Sequence, residues 1–443
     1  MTADIESTTN APGAEGLGAL DSWRARRIIL HLGATGTPPE EGVRGFTVGL
    51  DGYLDVLRDE YFRFIGDGLS AFKLVVGTYG GGKTHFLLNV KELAFEAGAA
   101  VSYLTLNPQE SPFDKLDLVY RRITDNLQAP PKAGARPDRG MEAFLRAWVD
   151  GERPGIDALA DKPRARKALV DTLVRGLGAI ESSSYRNALA GAFRALVADE
   201  EAVFFSLLQY LKGEGGDREI LKAHHVFEPI ERSTAFRAIR SLAQFVRRIG
   251  HQGLVLLLDE AERMVSLASS RNQRTAVDNL RQFIDECGGS ALEGVFLFYA
   301  IPREELLFGQ GGGAVYEALR QRVRGTFRGV NPTGVKIDLE SLSLPPTRFL
   351  AALAERLVEI YEVAYEVSFP RETLALSIDG LVQAAYEQRY GDEGYRRLFV
   401  KVFVEALHRL RRDPARVLED AEIEAIVSGQ LGGPGVADDG QEF

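Results

Sequence analysis

The feature that most limits the fold is a short passage in the first quarter of the chain. An apolar run, Leu74, Val75 and Val76, opens directly into GTYGGGKT at 77–84 and then into HFLLNVKELAFEAGA. Apolar strand, glycine turn and amphipathic run in that order predict strand, loop and helix. VSYLTL at 101–106 follows as a second buried strand, stopped by Asn107 and Pro108. Two strands joined by a helix make the βαβ grammar of a parallel sheet, so the expected class is α/β.

The loop also carries chemistry. Gly77, Gly82, Lys83 and Thr84 fill every fixed position of G-x-x-x-x-G-K-[ST]. Glycines let the backbone curl until its N–H groups point at phosphate oxygens, a role spread over Gly77, Thr78, Tyr79, Gly80, Gly81, Gly82 and the helix entry through His85. Lys83 is placed to reach the β and γ phosphates, and Thr84 to ligate Mg²⁺. The competing account is a glycine-rich turn with a chance lysine. The strand before and the helix after favour nucleotide, so ATP and Mg²⁺ are the expected cofactors.

A second motif is LVLLLDEAER, an unbroken apolar run ending in Asp259 and Glu260. A strand apolar on both faces belongs inside a parallel sheet, with ligands at its C-terminal end. Asp259 is expected to hold Mg²⁺ through water. Glu260, one position on, can take a proton from an attacking water, which a kinase acting on another hydroxyl does not need there. A solvated acidic helix cap is the plainer alternative.

Three further stretches carry weaker signals. GVFLFYAIP at 294–302 reads as another buried strand in which Tyr299 is the one polar side chain near the end, either a water-positioning group or a core tyrosine. YEALRQRVRG supplies Arg320, Arg322 and Arg324. A guanidinium brought to a γ phosphate stabilises transition-state charge, and Arg322 or Arg324 is the candidate finger, against helix-end arginines that only cap carbonyls. YGDEGYRRLFVKVF places Arg396 and Arg397 at a helix start, where one could reach phosphates from a lid or simply face water.

The domain plan reads as follows: a tail over 1–22, a first core segment with the glycine loop over 23–124 and a helical insertion over 125–250. A second core segment with the Asp-Glu strand spans 251–343, a helical lid 344–428, and a second tail 429–443. With 443 residues and 45% hydrophobic content the chain can bury an α/β core and more. A net charge of −10 argues against a general nucleic-acid coat. The basic clusters Lys162, Arg164, Arg166, Lys167 and Arg409, Arg411, Arg412 each have acids nearby and read as solvated faces. One cysteine, Cys287, excludes an intrachain disulfide and points to a cytoplasmic setting. The start of the chain has neither the basic residues nor the apolar core of a leader, and no apolar run approaches the roughly 20 residues of a membrane helix.

Taken together, strand and GTYGGGKT, a distant LLLDE, an arginine-bearing helix and a helical lid resemble the AAA+ ATPases of the origin-recognition branch. RRIILHLGATGTPPEEGVRGFTVG upstream and YGGGKTHFLL at the loop are similar to the ATP-binding proteins of bacterial phage-exclusion (BREX) defence systems, over about residues 24–425. The resemblance implies a P-loop NTPase core with a large helical insertion and a C-terminal helical lid. It also implies homo-oligomers or docking to other defence proteins such as a helicase, with DNA in the vicinity, and it places Val43, Phe46 and Thr47 near the adenine. The strand at 294–302 lacks the family's usual Asn or Thr.

The expected activity is therefore ATP hydrolysis by a switch or motor in phage defence. The alternative is a nucleotide-gated scaffold with little turnover. A small-molecule kinase is disfavoured by Glu260 and by the lack of an acceptor motif.

Overall fold

The computed structural model describes residues 20–132, 137–261, 270–289, 291–308, 314–327, 332–341, 344–388 and 394–431. Most of both expected tails lies outside these residues. The chain divides into two compact units, one of Gly52–Gly77 and Val90–Leu339, the other of Met1–Asp51, Thr78–Asn89 and Glu340–Phe443.

The first of these holds a six-stranded sheet, β1 Ala71–Val76, β2 Ala100–Thr105, β3 Leu127–Gln128, β4 Leu254–Asp259, β5 Val295–Ile301 and β6 Lys336–Asp338. Their order is β3-β2-β4-β5-β1-β6. Every residue of β4 and of β5 is buried, the mark of strands covered on both faces. β4 lies between β2 and β5 with parallel partners on each side, pairing Thr105 with Asp259 and Leu258 with Tyr299. β1 runs parallel to β5 and β6.

One expectation is corrected here: the sheet is mixed, not wholly parallel. β3 pairs antiparallel with β2 through Val101 with Gln128 and Ser102 with Leu127. A two-residue strand has no period to read, and it forms because the chain turns back along β2 after the helix Leu116–Asp125.

Between β3 and β4 the described residues form six helices: Met141–Asp157, Pro163–Gly176, Ser183–Val197, Glu201–Leu211, Arg218–Ala223 and Ala235–Arg248. Local chemistry sets their starts. The Ser182 hydroxyl accepts from the Tyr185 N–H at 3.2 Å, and the Asp217 carboxylate accepts from Glu219 and Ile220 N–H. Their core includes Tyr120 and Tyr185, whose hydroxyls meet at 3.0 Å while Tyr120 donates to the Leu211 carbonyl at 2.6 Å. Each buried tyrosine thus keeps its polar tip satisfied while burying its ring. Arg240 joins this layer to the helix Ser270–Gly288, bonding Glu181 at 2.6 Å and Glu286 at 2.9 Å.

The other unit is helical. Ser22–Thr35 begins at Asp21, whose side chain accepts from Arg24 N–H at 2.7 Å, and ends at Gly36, whose φ of 65° closes a left-handed cap onto Leu32. It packs against Pro346–Tyr365 and Tyr395–Leu410, with Gly33 so close to the latter that a Cβ there would lie 2.8 Å from Val404. Arg26 donates to the Ala364 carbonyl at 3.2 Å and lies over the Tyr365 ring. Arg371–Glu387 and Asp420–Leu431 complete the bundle. Among the described residues no helix is long and apolar enough to cross a membrane.

Candidate functional site

In the helical unit the glycine loop is folded on its own backbone. Gly81 N–H donates to the Thr78 carbonyl at 2.9 Å, and the Lys83 ammonium donates to the same carbonyl at 3.2 Å. Gly80 and Gly82 take φ of 69° and 94°, the left-handed region that a side chain resists. A Cβ on Gly81 would stand 2.8 Å from the Thr78 carbonyl oxygen and 2.6 Å from a Glu340 carboxylate oxygen. The sequence uses glycine where any other residue would force the loop open. Lys83 also opens the helix Lys83–Glu96, and its ammonium lies 5.3 Å from the centre of the exposed Tyr79 ring.

Among the described residues, Glu340 and Arg396 hold this loop in place. Glu340 accepts from Thr78 N–H at 2.9 Å and from the Thr78 hydroxyl at 2.8 Å. Arg396, the second residue of the helix Tyr395–Leu410, donates to the Gly81 carbonyl at 2.5 Å and stands 3.7 Å from Glu340. Its guanidinium lies over the Phe349 ring. Gly394, just before that helix, approaches so closely that a Cβ on Gly80 would lie 2.9 Å from its Cα.

Phe46 and His85 are brought together in the same unit. Phe46 ends the short turn Val43–Phe46, and its ring centre lies 5.0 Å from that of His85. The Thr47 hydroxyl bonds His85 Nε2 at 2.9 Å and donates to Asn89 at 3.0 Å. Burial pushes the His85 imidazole down to about 4, so it is neutral at ordinary pH and offers one donor and one acceptor.

In the sheet unit the two carboxylates stand at the C-terminal end of β4. Asp259 is only 2% exposed. One of its oxygens accepts from Glu260 N–H at 2.9 Å, the other from the Tyr103 hydroxyl at 2.8 Å. Burial first, then the Asp259 charge, push the Tyr103 hydroxyl upward, which keeps it protonated and donating. Glu260 has φ of 52°, a left-handed conformation that few non-glycine residues adopt. Tyr299 is buried, its hydroxyl 3.4 Å from the Ala261 carbonyl.

The arginine candidates part company. Arg322 forms a two-pronged pair with Asp285, at 2.5 and 3.0 Å. Arg324 is 69% exposed and stands 3.8 Å from Glu317. Sequence inspection passed over Tyr103, Glu340 and Asn89. Tyr103 was hidden as one apolar-looking position of VSYLTL, because neither strand reveals the other as its neighbour.

The donor types suit the expected ligands. A glycine turn this tight is compatible with a backbone cradle for phosphate, and the Asp259 carboxylate and Thr84 hydroxyl are hard oxygen donors. Among the described residues no group of three or more His, Cys, Asp or Glu could hold a metal alone. Magnesium asks for no such group, since it takes one or two protein oxygens together with substrate phosphates and water.

Residues 22–423 match the family model of the BREX system ATP-binding protein BrxC/D. The chain belongs to that family. No curated protein and no solved structure matches it. Membership in the BREX system ATP-binding family implies ATP binding, a place in phage defence and partnership with other defence proteins.

Proposed function

We propose that this member of the family is an ATP-hydrolysing switch or motor with an AAA+-like P-loop core. The observation that carries hydrolysis is the end of β4. There Asp259 is buried with both oxygens oriented by donors, and the next residue is a glutamate held at a strained φ of 52°. Strain of this kind costs on the order of 1–3 kcal/mol and is kept where a side chain has to be aimed. The glycine loop and Lys83 bind the phosphates, Thr84 and Asp259 serve Mg²⁺, and Glu260 accepts a proton from the attacking water. Bound magnesium would neutralise charge on the β and γ phosphates. The family likeness puts the base beside Phe46, whose ring stands 5.0 Å from that of His85.

Arg324, the more exposed of the two finger candidates, suits a role on a neighbouring subunit's nucleotide in a homo-oligomer. Work near DNA is assigned to partners such as a helicase. The basic surface of this chain is partly spent internally, with Arg409 paired to Glu405 at 2.6 Å and Arg411 lying over Tyr365.

The deciding experiment is Glu260→Gln. Phosphate release should fall by about 100-fold or more, as loss of a general base does, while calorimetric ATP affinity stays within a few-fold. Wild-type turnover in the variant would rule out Glu260 as the base.

A second function, a nucleotide-gated scaffold with little turnover, is favoured by Tyr299, whose hydroxyl turns to the Ala261 carbonyl. ATP-dependent assembly on gel filtration without phosphate release would select it.

A further inference from the structure

Tyr103 lies in the middle of β2, two residues before Thr105, and Thr105 is the register partner of Asp259. Its side chain leans toward the C-terminal end of the sheet and delivers its hydroxyl to Asp259 at 2.8 Å. Asp259 is nearly sealed from water, and a buried carboxylate is tolerable only where donors replace its lost hydration. Glu260 N–H and the Tyr103 hydroxyl each take one oxygen. The two donors fix the plane of the carboxylate from opposite ends. A carboxylate so held has its direction set before any ligand arrives.

We propose that Tyr103 is a positioning residue for Mg²⁺–ATP, its hydroxyl holding Asp259 in the orientation that serves the metal. This rests on the assignment of Asp259 to Mg²⁺ above. Groups that hydrogen-bond a metal-serving side chain set its orientation and basicity, and their loss costs about 10–100-fold in metal affinity or activity. Tyr103 itself touches neither metal nor nucleotide in this role. It acts through Asp259.

The test is calorimetric ATP binding with Mg²⁺ and with EDTA, on full-length wild type, Tyr103→Phe, Asp259→Asn and the double variant. Phenylalanine keeps the ring and its packing and removes the hydroxyl, with its bond to Asp259 and its contact with the Thr105 side chain. The expected result is that Mg²⁺ tightens ATP binding to wild type and that this gain shrinks about tenfold in Tyr103→Phe. Affinity in EDTA should stay at the wild-type value, the melting temperature should fall only by what losing one hydrogen bond to a buried carboxylate costs, and the double variant should be no worse than Asp259→Asn. A full magnesium gain in Tyr103→Phe overturns the proposal. So does an equal loss with and without Mg²⁺, since that marks a packing role. If Asp259→Asn keeps the gain, the assignment of Asp259 itself fails and Tyr103 falls with it.

Discussion

Arg396 donates to the carbonyl of Gly81 at 2.5 Å, so a side chain from the C-terminal helices grips the middle of the glycine loop. Because the same guanidinium stands 3.7 Å from Glu340, which bonds Thr78, the loop is held at two points by one pair of charges. Arg396→Met should weaken ATP binding by about 10–150-fold by calorimetry, at the scale of one charged hydrogen bond. Glu340→Gln should add little on top of Arg396→Met. Full additivity of the two substitutions would show that they do not act as a pair.

Arg322 and Arg324 should separate into different phenotypes. Arg322→Ala leaves Asp285 without its two-pronged partner and should cost about 0.2–1 kcal/mol in urea unfolding, with turnover per folded molecule little changed. Arg324→Ala should leave unfolding unaltered and lower phosphate release by tenfold or more. Its turnover should also stop rising with protein concentration. The reverse pattern would move the finger role to Arg322.

Lys73 gives a pH signature. It is 2% exposed on β1, donates to the Tyr61 hydroxyl and the Gly334 carbonyl at 2.6 Å, and lies over the Tyr61 and Phe327 rings. Burial pushes it down to about 7. The unfolded chain protonates below its ordinary value near 10.5 while the folded chain waits until about 7. Stability from this group is therefore present above 10.5 and is lost as pH falls toward 7. Between pH 7 and 9.5 wild type should gain on Lys73→Met by about 2–3 kcal/mol in urea melts, and a flat difference would show that Lys73 is charged throughout.

Arg240 should matter to stability more than any surface pair. It holds Glu181 and Glu286 together while itself largely covered, and Glu286 is more covered still. Arg240→Met should lower unfolding free energy by roughly 1–3 kcal/mol, most of it from leaving two carboxylates without their partner. Hydrogen exchange should quicken first in Ala235–Arg248 and Ser270–Gly288.

What could be read from the sequence follows from where the physics is local. The passage from Leu74–Val76 through GTYGGGKT to the next helix has its signal within a few residues, and β1, the loop and Lys83–Glu96 stand where the pattern places them. β4 and β5 announce themselves because strands covered on both faces need unbroken apolar runs. β3 could not be foreseen, since two residues have no period. Arg396 was visible as an arginine at a helix start, but its hold on Gly81 is a contact across more than three hundred residues of chain that only the fold makes. Tyr103 was illegible for the same reason. A tyrosine becomes a partner of Asp259 only once β2 and β4 are known to be neighbours in a given register.

The sheet's outermost strands are β3, of two residues, and β6, of three. An edge of that length offers almost no row of unpaired amides and carbonyls for a visiting strand to copy. Among the described residues the outer side of β6 is also taken, since Phe327 N–H donates to the Lys336 carbonyl at 2.7 Å and Lys336 N–H to the Gly325 carbonyl at 2.8 Å. Short, covered edges of this kind also guard the sheet against strand-to-strand association between copies of the chain.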